Sequence, residues 1–465
     1  MKSLIILIKQ LMTEFSLGFR TGYADHLDGQ VSLLTRINNF SFIKDLISEI
    51  KAGFIEGKEH WKNSNQNLEN TPINPNLCTL NVGLLPESLS EKGMLVVADM
   101  LPLFDFHSGS LRLKTLIGML TSQGWDVTFG SILAEESLPD ILKNPEKLKY
   151  YETALENEGV KTIIYGELSI NKYLERLQKK PKWVFLSFPS VASRIIPAVR
   201  MNCPSTKIIY DMVDFHYLRL KRWAEIQQDE SLMIEAEKMA DLEFACVNNS
   251  DITIAISEVE KCSVLSYVNA KNIQVLPNVF EIPKVKSNLI ADREGIVFIG
   301  GFWHPPNEDA IIWFVNEVWP IIRKKRPDVS LSIVGSNPTK DVVDLGKVDG
   351  VKVFGFVLDL APILYSHRLA IAPLRYGAGM KGKVGQSLAY GLPLVTTSVG
   401  AEGMDLVNGE DVFIADNKFI FAKYVIKLID DDELWQKFSK NGIEFIKANL
   451  SPEVIQERLR AILNG

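Results

Sequence analysis

Residues Leu369 to Met404 constrain the fold of this chain more than any other stretch. An apolar run, Leu369 to Leu374, leads into a loop rich in glycine and lysine. Gly377, Gly379 and Gly382 let the backbone bend and come close to a ligand. Lys381 and Lys383 put positive charge where a helix begins. That helix stops by Tyr390, because Gly391 and Pro393 end it, and a second apolar run follows. A buried strand, a loop, a short helix and another buried strand form a unit of a parallel α/β sheet. Free N–H groups at the helix start, the helix dipole and the two ammonium groups all favour phosphate. The loop falls at the carboxyl end of a strand, where open α/β sheets bind ligands.

Two kinds of phosphate site fit such a loop. Gly377 to Lys383 has the spacing G-x-x-x-x-G-K, but Val384 stands where a P-loop needs a hydroxyl to ligate Mg²⁺. The second kind is a nucleotide-sugar site. Ala389-Tyr390-Gly391-Leu392-Pro393-Leu394-Val395-Thr396-Thr397 is followed by Val399-Gly400-Ala401-Glu402-Gly403. This long ordered pattern resembles the donor-binding region of the GT-B glycosyltransferases of family 4, and the resemblance extends from about Met94 to the C-terminus.

The resemblance implies an α/β GT-B fold: two doubly wound Rossmann-like domains facing a cleft. It implies transfer of a sugar, with retention, from a nucleoside diphosphate sugar to an acceptor hydroxyl in polysaccharide or glycoconjugate synthesis. The acceptor is then a glycan or a lipid-linked glycan. No cofactor and no metal are expected, since the family meets the leaving diphosphate with a helix dipole and basic residues. Carried onto this chain, the donor-binding positions are Gly300, Gly301, Phe356, Val357, Gly379, Met380, Lys381, Lys383, Gln386 and Glu402. One departure stands out. Two glutamates eight positions apart are usual around this helix, and here those positions hold Ala378 and Gln386. Glutamine hydrogen-bonds but carries no charge. The departure keeps two alternatives open: a non-catalytic nucleotide-sugar-binding subunit, and a nucleotide-sugar epimerase.

The first domain offers two loops at strand ends. Asp211-Met212-Val213-Asp214-Phe215-His216 follows a buried run. His216 is the candidate to contact the transferred sugar or the acceptor hydroxyl, with Asp214 holding its tautomer. The alternative is that Asp214 caps the next helix and His216 packs locally. His107-Ser108-Gly109-Ser110, with Arg112 beyond it, is the matching loop of the first strand, a contact for donor phosphate or acceptor. Its alternative is a plain helix cap by Ser108 or Ser110.

Composition narrows the partners. Of 465 residues, 46% are hydrophobic and 23% charged, and the net charge is −6. That balance suits a globular protein with a real core and argues against nucleic acid. Cys78, Cys203, Cys246 and Cys262 form no C-x-x-C pair and read as reduced, which points to the cytoplasm. No apolar run reaches the roughly 20 residues of a membrane span. The start, MKSLIILIKQLMTEFSLGF, is interrupted by Lys9 and Glu14 and reads as an amphipathic helix docked on the protein. A helix lying on the inner face of the membrane is the alternative, and would make the association peripheral. No His/Cys/Asp cluster has metal spacing.

The chain therefore divides in three. Residues 1–90 are an extension, helical and then a polar linker over Glu56 to Thr79. Residues 91–284 are the first Rossmann-like domain, with strands expected at Leu95–Ala98, Val127–Phe129, Thr162–Tyr165, Trp183–Ser187, Lys207–Tyr210 and Ile252–Ile256. Residues 285–465 are the second, with strands at Ile296–Ile299, Leu331–Val334, Val351–Phe354 and Leu369, and helices from Asn417 to Leu463. The boundary is the stretch Pro277 to Asn288.

Overall fold

The computed structural model describes residues 88–270, 272–284 and 290–464. The expected N-terminal amphipathic helix and polar linker lie outside the described residues.

Seven short apolar segments build the first sheet: β1 (Gly93–Ala98), β2 (Asp126–Ser131), β3 (Thr162–Tyr165), β4 (Trp183–Ser187), β5 (Lys207–Asp211), β6 (Ile252–Ala255) and β7 (Ile273–Val275). All pair in parallel, in the order β3-β2-β1-β4-β5-β6-β7. Both faces of such a sheet are covered, so its strands are apolar on both sides. Val96, Phe129, Phe185 and Ile209 bury on one face. Val97, Val184, Ile208 and Tyr210 bury on the other.

The second sheet has six strands: β8 (Ile296–Ile299), β9 (Leu331–Val334), β10 (Val351–Gly355), β11 (Leu369–Ala372), β12 (Leu394–Thr396) and β13 (Phe413–Ile414). Their order is β10-β9-β8-β11-β12-β13, again all parallel. β7 and β13 escaped the sequence reading because they have only 3 and 2 residues, too few for a hydrophobic pattern.

Both sheets reverse direction of strand addition once, between β1 and β4 in the first and between β8 and β11 in the second. A crevice opens outside the carboxyl ends of the strands at such a reversal, and ligands bind there. The loops that follow β1, β5, β8 and β11 hold most of the candidate residues, and Phe356, Val357 and Glu402 lie beyond the ends of β10 and β12.

The last helix, Pro452–Asn464, does not belong to the second domain. Ile455, Leu459, Ile462 and Leu463 bury in the first domain's core with Met94, Leu116 and Leu120. Gln456 binds across to the first domain's helix, its Nε2 donating to Ser122 Oγ at 2.9 Å while its carbonyl accepts from Gln123 Nε2 at 3.2 Å. The expected second domain of residues 285–465 is thus corrected: it ends near Leu450, and the chain then returns. The sequence concealed this because an amphipathic helix records that it has an apolar face, not what covers that face. The two crossings lie side by side, with the Phe280 N–H donating to Leu450 O at 2.9 Å.

Leu459 is fully buried in that returning helix. Leu459→Ala is expected to cost about 2–5 kcal/mol. Hydrogen exchange would then rise in β1, β2 and the helix Ser108–Ser122. Loss of protection confined to β8–β12 would contradict the assignment of this helix to the first core.

Candidate functional site

The glycine loop follows β11, and close packing explains its sequence. Gly377 and Gly379 adopt φ of 148° and 66°, backbone that residues with a Cβ rarely accept. A Cβ on Gly379 would stand 3.2 Å from Asp214 Oδ1, and one on Gly382 would stand 2.9 Å from Ser108 Cβ. The loop therefore sits against both first-domain loops singled out in the sequence. The helix Gly382–Ala389 begins directly after it, with no side-chain cap and no acid in its first turn. Its leading N–H groups are free to meet an anion. Phe280 packs on the far side of this helix, where a Cβ on Gly385 would collide with its ring at 2.3 Å.

The two lysines do different things. Lys381 Nζ donates to Ala378 O at 3.1 Å and to Gly379 O at 2.5 Å, and lies 3.7 Å from Glu402. It closes the loop on itself. Lys383 reaches the crevice: its ammonium lies 4.4 Å from the Phe298 ring centre, donates to Asn307 Oδ1, and sits beside Gly300. Burial, helped by Lys381, pushes the Lys383 ammonium down to about 7. Burial also lowers Lys381. Gly300 and Gly301 form the matching turn after β8, with the Gly301 carbonyl accepting from Asn307 Nδ2 at 2.8 Å. His304, just beyond, is held at about 4 by burial, with Arg219 adding to the effect.

Glu402 is engaged across the domains. Arg222 donates to both of its carboxylate oxygens, at 2.8 and 2.7 Å, and also to Gly377 O at 2.6 Å. Phe356 stacks on Phe106 of the first domain, ring centres 4.8 Å apart and planes 5° apart. Val357 packs half-buried on the second core, and Met380 is buried there. Gln386 is half-buried on the helix face it shares with Lys383.

In the first domain, His216 opens the helix His216–Gln227 at the end of β5. Its Nδ1 lies 3.0 Å from Glu243 Oε1, and the fully buried Glu243 also accepts from the N–H groups of His216 and Tyr217. Glu243, not Asp214, thus orients the imidazole and caps this helix. Asp214 instead binds Arg219 at 2.7 Å. Burial works to raise the Asp214 carboxyl, but Arg219, His216 and Lys381 outweigh it and hold it below the usual range. His107 occupies the cap position of the helix Ser108–Ser122, where no side chain closes the N-terminus, so neither Ser108 nor Ser110 acts as a cap. The His107 ring meets Trp303 edge-on at 4.5 Å, and burial lowers its basicity. Gly109 lets this turn approach Val213. Ser110 is half-buried one residue further on. Arg112 does not reach the cleft: its guanidinium is buried, paired with Asp211 and donating to Leu276 O at 3.0 Å. It is a strut beneath the strand ends, not the phosphate-loop residue its place in the sequence suggests.

Three features had weak sequence signals. Glu243 interrupts the apolar stripe Ala236, Ala240, Cys246, Val247, and an acid at a core position marks a buried task. Phe188 and Val213 take positive φ, 76° and 62°, at the ends of adjacent strands β4 and β5. Strain of this kind gathers at functional clefts. No spacing rule announces it.

Residues 293–431 match the family model described as "Glycosyl transferases group 1". This segment is a group 1 glycosyl transferase domain. The whole described chain has the GT-B fold. It is similar to sucrose-phosphate synthase from Thermosynechococcus elongatus, at a TM-score of 0.62 and 15% identity, covering 80% of this chain and 98% of that one. It is similar to Anabaena HepE, solved in complex with UDP and glucose, at a TM-score of 0.59 and 12% identity, covering 80% and 99%. A curated relative, the capsular polysaccharide biosynthesis glycosyltransferase CapM of Staphylococcus aureus, is 26% identical over 227 residues, 46% of this chain and 58% of that protein. The chain spans about half the length of the curated relatives it matches. The glycine loop and Lys383 lie inside the group 1 domain, and His216 and Glu243 lie outside it.

Lys383 is less basic in the folded protein than in the unfolded chain. The unfolded chain binds more protons from about pH 7 up to the ordinary lysine range, so stability rises with pH through that window. A bound anion reverses the shift by favouring the ammonium. Pyrophosphate binding at pH 8 is therefore expected to take up about one proton, measured by calorimetry in two buffers of different ionisation enthalpy. Lys383→Met should abolish the uptake. The same net proton exchange in the unmodified protein and Lys383→Met would exclude Lys383 from the anion site.

Proposed function

We propose that the protein is a retaining glycosyltransferase that moves a sugar from a nucleoside diphosphate sugar to a hydroxyl of a glycan or lipid-linked glycan, in the synthesis of a capsule-like polysaccharide. The observation that carries this reading is Lys383 at the uncapped start of Gly382–Ala389, facing Gly300 across the strand reversal between β8 and β11. The group 1 domain, the named role of the capsular relative and the UDP and glucose bound to HepE support it.

The proposed chemistry follows from charge. Leaving-group departure builds negative charge on the diphosphate, and the helix N–H groups together with Lys383 are pre-positioned to stabilise it. Those groups supply the positive charge from protein alone, so the proposed reaction calls on no metal or cofactor. With Nδ1 held by Glu243, His216 has Nε2 left to meet the sugar or the acceptor hydroxyl. Closing the two domains over the donor would exclude water and suppress its hydrolysis. Among the described residues no helix is long and apolar enough to cross a membrane. We place the activity in the cytoplasm, where nucleotide sugars are the donors, with peripheral contact at the inner membrane face when the acceptor is lipid-linked.

A second reading has an observation in its favour. Ala378 and Gln386 leave the donor helix without carboxylates, as a nucleotide-sugar-binding subunit without turnover would tolerate.

Thermal unfolding against UDP-, GDP-, ADP- and dTDP-sugars tests the proposal. One donor at about a hundredfold its Kd should stabilise the protein by about 2.7 kcal/mol, and Lys383→Ala should remove the shift. No shift with any donor, from a folded sample, would refute the proposal. A shift without sugar transfer to any offered acceptor would favour the binding subunit.

A further inference from the structure

The helix Glu258–Leu265 opens with Ser257-Glu258-Val259-Glu260, the S-x-x-E pattern of a capping box. Half of the box is formed: Ser257 Oγ accepts from the Glu260 N–H at 3.1 Å. The returning bond is not made. Neither carboxyl oxygen of Glu260 has a hydrogen-bond partner among the described residues, although the residue is only 4% exposed. Burial, with Asp214, Glu243 and Asp211 adding to it and Lys381 opposing, raises this carboxyl well above the usual range. A protonated carboxyl offers one O–H donor as well as acceptor lone pairs.

Glu260 lines a cavity of about 100 Å³ between the two domains. Phe215, Leu218 and Arg222 wall it from the first domain, and Ala378, Gly379 and Glu402 from the second. The other charged groups in this wall are already satisfied, Arg222 by Glu402 and the Gly377 carbonyl. Glu260 is left with its bonding capacity unused, both oxygens buried beside a space that adjoins the glycine loop. That space is large enough to take a polar group of a ligand.

We propose that Glu260 is a specificity-determining residue, whose carboxyl hydrogen-bonds one hydroxyl-bearing edge of the sugar carried by a nucleotide lodged at the glycine loop. The inference rests on the glycosyl-transfer reading above and adds to it the residue that reads the sugar. A buried group that needs a hydroxyl partner discriminates strongly against a ligand lacking that hydroxyl, because it is then left unpaired.

The full-length protein, Glu260→Leu and Glu260→Gln are compared with the donor found in the thermal screen, its deoxy analogues and the matching nucleoside diphosphate. Glu260→Leu should melt at the unmodified temperature or above, since it removes an unpartnered buried polar group. It should bind the nucleoside diphosphate within about twofold of the unmodified protein, yet lose about 10- to 100-fold in kcat/KM for the sugar donor. Its preference for that donor over one deoxy analogue should collapse, and Glu260→Gln should restore part of it. Unchanged kcat/KM and unchanged sugar preference in Glu260→Leu would overturn the proposal. So would a marked fall in its melting temperature, which would reveal a structural partner for the carboxyl. If the unmodified protein binds the nucleoside diphosphate but ignores every sugar it carries, the glycosyl-transfer reading itself fails, a result distinct from those two.

Discussion

The approach of the first domain to the glycine loop sets the rest of the cleft. Asp214 comes up to Gly379 and Ser108 to Gly382, at distances where a side chain larger than hydrogen would collide or crowd. Arg222 then reaches over, holding the Gly377 carbonyl and both oxygens of Glu402. The conformation of the loop is thus determined from both domains, and the free N–H groups of Gly382–Ala389 keep their direction because the backbone before them has nowhere else to go. Phe280, wedged behind the same helix, supports it from the opposite side.

Most charges in this cleft are paired, and Lys383 differs from the other cations among them in lacking a carboxylate partner among the described residues. Asp214 has Arg219, Glu402 has Arg222, and Lys381 has the loop carbonyls. Lys383 has only a neutral amide and an aromatic face for company. Burial makes its charge costly until an anion arrives, so its proton affinity tracks occupancy of the site. The same logic separates the two lysines that the sequence presented as equivalents. Their spacing placed both at a helix start, but only the three-dimensional packing decides which one turns inward on its own loop and which one crosses to Gly300.

Much of the architecture was legible in the chain. Parallel strands buried on both faces are continuous apolar runs, and those runs fell within a residue or two of β1 to β6 and β8 to β11. The glycine loop is legible because glycine at a positive φ and lysine at a helix start are local requirements. Contacts between distant segments were not. Arg112 looked like a cleft cation because it follows a strand-end loop, yet its partner, Asp211, comes from a different strand and draws it under the sheet. Nearness in sequence points to Asp214 as the partner of His216. Glu243, 27 positions away on another helix, took that place. The final helix advertised an apolar face whose covering surface lay some three hundred residues upstream.

That returning helix has a consequence for movement. The polypeptide passes between the two domains twice, once near Phe280 and once after Leu450, and the passages are tied together by a backbone hydrogen bond. Two adjacent tethers suppress sliding and twisting of one domain on the other, because either would stretch a strand of chain or break that bond. A swing about the short line through both tethers stretches neither, though it must break the bonds of Arg222 to Glu402 and Gly377. Any opening of the two domains must also part the stacking of Phe106 on Phe356 and the contact of His107 with Trp303.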